Sequence, residues 1–176
     1  MAHLPLIFTF FVVCFSIVNS IRVPPATTEL ATEVCKNTTI FDFCHTVIYS
    51  DPRAPTADRV TLAYIAFGQA HANTTKAVDY IDSWIKSRKE EDKTMVGMKK
   101  CLRFYGWAAQ AFSEAMGNFD SESYSGLDRL AVLGEGYARD CEARFSEGSS
   151  PASLMNQNLI KFSNICDAVS QLFPYQ

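Results

Sequence analysis

Six cysteines and three histidines are the side chains best suited to chemistry in this chain. Their spacing points to cross-links and not to a reaction. Cys35 and Cys44 enclose eight residues, and Cys101 and Cys141 enclose thirty-nine. In a chain that starts like a secreted precursor, such thiols are kept oxidised in pairs. Four cysteines allow three connectivities. The sequential one is favoured, Cys35–Cys44 and Cys101–Cys141, because the short pair suits a small hairpin and the long pair suits two neighbouring helices. Cys166 is the odd cysteine, read as a buried inert thiol in a monomer. The competing reading is an intermolecular bridge that would make a Cys166-linked dimer.

No constellation for catalysis accompanies these thiols. His45 directly follows Cys44, and His71 lies twenty-six residues further on, so no pair of imidazoles shares a motif. There is no HExxH, no CxxC and no dense Asp loop for a metal. Gly134-Glu135-Gly136 lacks the third glycine and the preceding strand of a phosphate-binding turn. Neither GxSxG nor a Ser-His-Asp order stands out. The chain is expected to be neither an enzyme nor a holder of any metal or cofactor. His71 is expected as a semi-buried histidine with one hydrogen-bond partner; the sharper reading is an imidazole whose protonation loosens the fold in acid.

The termini and the charge set the compartment and exclude some partners. Met1 to Ser20 contains no Lys, Arg, Asp or Glu, and its apolar stretch, Leu6 to Val18, is short for a bilayer. Val18-Asn19-Ser20 suits a signal peptidase, so residues 1–20 read as a signal peptide, Cys14 included, and 21–176 as one mature domain. The formal net charge is −3. A mildly acidic domain has no electrostatic footprint for nucleic acid or an anionic membrane. Two sequons, Asn37-Thr38-Thr39 and Asn73-Thr74-Thr75, fit the secretory route. Asn37 should be exposed in the small cysteine loop, whereas Asn73 falls in a helical stretch.

Helices must position all of these residues, because strand signals are nearly absent. Apolar residues recur in steps of three and four. One series runs Val60, Tyr64, Phe67, His71, Thr74, Val78, Ile81, Ile85. A second runs Met95, Met98, Leu102, Tyr105, Ala109, Phe112, Met116, Phe119. A fourth helix carries Met155, Leu159, Phe162, Cys166, Val169 and Phe173. Such repeats keep one seam toward partner helices. The third stretch, Leu127 to Phe145, shows Leu130, Leu133, Tyr137 and Cys141 on one face, weakened by Gly134 and Gly136 at about 1 kcal/mol each. Thr56 or Ser50 could cap the first bundle helix, Asp92 or Thr94 the second, and Ser121 or Ser123 the third. Gly117-Asn118 should end the second, and Gly148-Ser149-Ser150-Pro151 should separate the last two, with Pro151 in the first helical turn. Short connections make neighbours antiparallel. The expected fold is all-α: an up-down-up-down four-helix bundle over 55–174, preceded by an N-terminal helical hairpin over 27–52, with two disulfides. Phe119, Glu122 and Tyr124 sit at or near a connection. An aromatic anchor beside a carboxylate there would suit an enzyme cleft rimmed with sugar-binding groups.

These residues resemble a known family, the plant invertase and pectin methylesterase inhibitor domain, over essentially the whole of 21–176. The cysteine spacing carries the resemblance together with Phe41-Asp42-Phe43-Cys44, Ser50-Asp51-Pro52-Arg53, Ala57-Asp58, Leu62-Ala63, Asp140-Cys141-Glu142 and Ser150-Pro151. It implies a four-helix bundle with an N-terminal hairpin, one disulfide in each part. It also implies a secreted inhibitor in the apoplast, with the vacuole as the other location. The target would be an acid invertase, a β-fructofuranosidase, or a pectin methylesterase (pectinesterase). Asp51-Pro52-Arg53 with Ala57-Asp58 looks more like the invertase-inhibitor branch. Members of that branch often carry Pro-Lys-Phe before the third bundle helix. Residues 117–124 here read GNFDSESY, so that motif does not carry over. The remaining reading is a structural or small-ligand-binding bundle with no enzyme target.

Overall fold

The computed structural model of the chain describes residues 29–89, 91–146 and 150–174. The expected signal peptide with Cys14, the first residues of the expected hairpin, and Gly148-Ser149 lie outside the described residues. Six α-helices follow in order: α1 Glu29–Lys36, α2 Phe41–Ile48, α3 Arg59–Lys86, α4 Lys93–Asp120, α5 Leu127–Glu142 and α6 Ser153–Ser170, with a 3-10 turn at Ala54–Thr56 before α3. Among the described residues there is no strand. Helices α3 and α4, each 28 residues, are about 42 Å long at 1.5 Å per residue.

The last four helices close a ring in which α3 packs on α4, α4 on α5, α5 on α6 and α6 back on α3. Helices α1 and α2 pack on each other and on α6, and α2 also touches α3. The all-α bundle with its two disulfides is therefore as expected. The buried face of α3, however, is offset from the heptad series. Leu62, Ala63, Ile65, Ala66, Ala70 and Ala77 are buried, while Val60, Tyr64, His71, Val78 and Ile85 are only half-buried. Ala108, Ala111 and Ala115 do the same on α4. Small residues let two helix axes approach closely, so alanines take the line of nearest contact and larger rings fill the flanks. Thr74 is accommodated in this core because its hydroxyl donates to the Ala70 carbonyl at 2.7 Å.

The helix ends correct several expectations. Asp58, not Thr56 or Ser50, caps α3: its carboxylate accepts the Thr61 N–H at 2.7 Å. Asp92 caps α4 through Met95 N–H at 2.7 Å, as expected. Gly117-Asn118 does not end α4, which continues to Asp120 so that Phe119 can enter the core. Neither Ser121 nor Ser123 caps α5; Gly126 does, at φ 74° and without a side-chain bond. Pro151 lies in the turn before α6 and not in its first helical turn.

The hairpin is held by Cys35–Cys44, with Cα atoms 5.4 Å apart. It docks through Phe43, whose ring meets Phe162 of α6 edge-on at 5.4 Å, with the Lys161 ammonium 5.1 Å from the same ring. Cys101–Cys141 staples α4 to α5, and both residues are fully buried. Next to this staple, Tyr105 Oη donates to Asn156 Oδ1 at 2.9 Å, and Asn156 Nδ2 donates to Glu142 Oε2 at 2.5 Å. Three helices are thus tied by one buried relay. Burial, and then the nearby Glu142 charge, hold the Tyr105 phenol above its usual pKa. Tyr105→Phe leaves Asn156 Oδ1 without its donor in the core. The expected loss is about 1–3 kcal/mol in denaturant unfolding; an unchanged midpoint would show that the relay contributes nothing.

Candidate target-binding surface

Phe119, Glu122 and Tyr124 come together with residues from both ends of the bundle domain. Phe119 is 5% exposed. Its ring lies 5.6 Å from Phe67, 6.3 Å from Tyr64 and from Phe173, and 6.4 Å from Tyr124. A partner cannot grip a ring so enclosed, so Phe119 serves as the floor of the surface. Tyr124 is half-buried and stacks on Phe173 at 4.9 Å. Glu122 is exposed and takes φ 54°, in the left-handed region. Non-glycine residues enter that region rarely, and here it reverses the chain directly after α4. The Ser123 N–H donates to the Asn118 carbonyl at 2.8 Å and closes the turn. The carboxylate of Glu122 is thereby presented on a fixed bend.

Asp51, Arg53 and Arg59 complete the surface, and the candidate trio did not include them. Arg53 Nε donates to Asp51 Oδ1 at 2.9 Å and Nη2 to Oδ2 at 2.8 Å, a bidentate pair across Pro52. The Arg53 backbone N–H also donates to Asp51 Oδ1 at 2.9 Å. The Arg53 hydrogen bonds hold the Asp51 carboxyl below the usual carboxylate range. The clamp is therefore intact in mild acid and opens only as pH falls through that lowered value. The Arg53 guanidinium lies 5.8 Å from the Tyr64 ring, and that of Arg59 lies 5.2 Å from Phe173. A shallow hollow of about 220 Å³ beside the Arg53–Tyr64 contact is lined by Arg53, Val60, Thr61, Tyr64, Phe119 and Asp120. A second, of about 340 Å³, lies beside Tyr124, Asp128 and Phe173. The signal for the clamp was present in the sequence, as opposite charges flanking a proline. Its partner rings Tyr64 and Phe173 are 109 positions apart, and only the fold brings both to Phe119.

The other singled-out residues lie elsewhere. His45 stacks on Tyr49 at 4.2 Å, and His71 is half-buried on α3. Among the described residues no three or more of His, Cys, Asp and Glu are grouped to hold a metal ion. Asn37 is exposed directly after α1, and Asn73 is half-buried within α3. Among the described residues Cys166 is the free cysteine, and it is fully buried. Burial, and then Asp167, push its thiol pKa well up. A thiol so placed cannot meet a second chain without unfolding, which counts against the Cys166-linked dimer. In native protein comprising residues 21–176, Cys166 should not react with an aromatic disulfide reagent over minutes, and one thiol should titrate after denaturation; rapid native reaction would refute this burial.

The sequence profile described as "Plant invertase/pectin methylesterase inhibitor" matches residues 29–169. The chain belongs to that family. Its members are inhibitors of enzymes and not enzymes themselves. One relative, "Cell wall / vacuolar inhibitor of fructosidase 2" of Arabidopsis thaliana, is 28% identical over 131 residues, 74% of this chain and 73% of its own. Another, "Pectinesterase inhibitor 5" of the same plant, is 27% identical over 168 residues, 93% and 90% of the two chains. A "Putative invertase inhibitor" of Platanus acerifolia is 25% identical over 135 residues, 75% of each. The crystal structure of a pectin methylesterase inhibitor from Arabidopsis thaliana superposes with a TM-score of 0.62 at 16% identity, over 85% of this chain and 99% of that one. At that identity the likeness establishes the shared fold. No helix among the described residues is long and apolar enough to cross a membrane.

Proposed function

We propose that the protein is a secreted inhibitor that docks on an acid invertase and occludes its cleft, without chemistry of its own. The observation that carries this is the end surface, where Arg53 of the Asp51–Arg53 clamp borders a shallow hollow over Phe119, Tyr124 borders a second, and Glu122 stands exposed on the bend after α4. Such relief suits a protein partner better than an enclosed ligand. Relatives named as inhibitors of fructosidase or invertase favour this target. The polar and aromatic groups would engage the sugar-binding rim of the cleft, with Arg53 and Tyr124 as the anchors.

The second reading is inhibition of pectin methylesterase. It is favoured by a pectinesterase inhibitor relative that matches 93% of the chain. One titration separates the two. Mature protein, folded and disulfide-bonded, is added in parallel to an acid invertase and a pectin methylesterase at about pH 5, where carboxylates near their ordinary pKa can share protons across an interface. Stoichiometric loss of invertase activity alone is the expected result, weakening as pH rises to neutral. Loss of pectin methylesterase activity alone supports the second reading. Loss of neither rejects inhibition of both. Arg53→Ala and Tyr124→Ala should each weaken inhibition about tenfold or more; the unfolding midpoint should stay put for Arg53→Ala and fall for Tyr124→Ala, which removes the ring stacked on Phe173. Unchanged inhibition in both would move the interface to another face.

A further inference from the structure

The α1–α2 turn carries a chemical feature that target binding does not use. Helix α1 ends at Lys36, and Asn37 follows with its side chain exposed. Its own N–H donates to the Glu33 and Val34 carbonyls at 3.2 and 3.1 Å. Thr38 Oγ1 donates to the Cys35 carbonyl at 2.7 Å and accepts the Ile40 N–H at 3.4 Å, which sets the shape of the turn. Thr39, the third residue of the sequon, is exposed as well. Asn73 presents the opposite case, half-buried in the middle of a 28-residue helix. Beside Asn37 a cavity of about 350 Å³ separates the turn from α6, lined by Thr39, Asn164, Asp167, Ala168 and Gln171. Its size is at the lower end of small-ligand sites. Besides Asn37 itself, its walls offer the Asn164 and Gln171 amides, the Asp167 carboxylate, the Thr38 and Thr39 hydroxyls and the methyl groups of those threonines and Ala168.

We propose that Asn37 carries an N-linked glycan whose innermost N-acetylglucosamine rests in this cavity, against α6. The sugar hydroxyls match the Asn164 and Gln171 amides and the Asp167 carboxylate, and the acetyl methyl matches Ala168. In the transfer, Asn37 Nδ2 bonds to C1 of the sugar of a lipid-pyrophosphate-linked oligosaccharide. The C1–O bond breaks, its electron pair leaves with the pyrophosphate, and the amide loses one proton. The proposal rests on entry to the secretory route and not on which enzyme is inhibited. It also assigns the cavity a structural purpose: a sugar bridging the hairpin turn and α6 adds contacts to a segment with little core of its own.

The full chain, expressed in plant cells with its own leader, tests this by peptide mapping. Enzymatic glycan release in heavy-oxygen water converts an occupied asparagine to labelled aspartate. Label at Asn37 is expected, and none at Asn73; an unlabelled Asn37, or label at Asn73 alone, overturns the site. Thr39→Ala, which keeps Asn37 but breaks the sequon, should abolish the label. Seating of the sugar is read separately. Trimming to one N-acetylglucosamine should leave the melting temperature unchanged, whereas the unglycosylated Thr39→Ala protein should melt about 1–4 °C lower. Adding Asn164→Ala and Asp167→Ala should erase that difference. Equal melting of trimmed and unglycosylated protein overturns the seating.

Discussion

Replacing Cys101 and Cys141 together by alanine is expected to remove about 4 kcal/mol of stability. The bridge closes a loop spanning 40 positions, and fixing that loop removes chain entropy from the unfolded state. The two sulfurs are also fully buried between α4 and α5, so their loss leaves a small void in the core. Denaturant unfolding of the variant, compared with the wild type, measures the effect. A loss under about 1 kcal/mol would mean that helix packing alone already holds α4 and α5 together. The Cys35–Cys44 pair closes a loop spanning only 9 positions, worth about 3 kcal/mol by the same reasoning. Its removal should act locally. The hairpin should lose amide protection while α3 to α6 keep theirs, because the hairpin relies on that bridge and a few contacts such as Phe43–Phe162.

The second large effect is expected at Gly134, where Gly134→Ala should destabilise the bundle by about 1–3 kcal/mol. Helix propensity alone predicts the opposite sign, since alanine is better than glycine in a helix by about 1 kcal/mol. A methyl group here would meet Ser163 Oγ, would sit 2.6 Å from Phe112 Cζ and would touch Leu159 Cδ1 at 3.4 Å. Phe112 is fully buried and cannot swing away, so overpacking outweighs the propensity gain. Gly136, two residues on, has nothing within 4 Å of such a methyl, and Gly136→Ala should stabilise by about 0.5–1 kcal/mol. The pair of variants, measured by thermal unfolding, should move in opposite directions; two shifts of the same sign would refute the close approach of α5 to its neighbours. Ser163 offers a further check. Its Oγ is buried and has no hydrogen-bond partner among the described residues. Ser163→Ala should therefore be neutral or mildly stabilising and should recover part of the Gly134→Ala loss.

Much of this was legible in the residues themselves. The cysteine spacing pointed to the two bridges that the structure contains, and Asp92 was readable as a cap because a carboxylate before an apolar repeat accepts a free helix N–H. Other ends were misread for definite reasons. Gly117-Asn118 has the chemistry of a helix stop, but burying Phe119 against Phe67 and Phe173 favours one more turn. Gly134 and Gly136 look alike in sequence and differ only in what surrounds them. The Tyr105–Asn156–Glu142 relay joins three helices across 51 and 14 positions, and no local pattern announces it.

Local chemistry, then, determined that this chain is helical and cross-linked in two places, because periodicity and thiol spacing are properties of neighbouring residues. Tertiary structure decided which residues are exposed at this end of the bundle. Phe119, chosen as an anchor from its position near a connection, is buried, while Arg53, Arg59, Tyr64 and Phe173 converge around it from distant parts of the chain. Side-chain exposure depends on the packing of all four helices at once, and that packing is set by small residues such as Ala66, Ala108 and Gly134, whose role no single helix reveals.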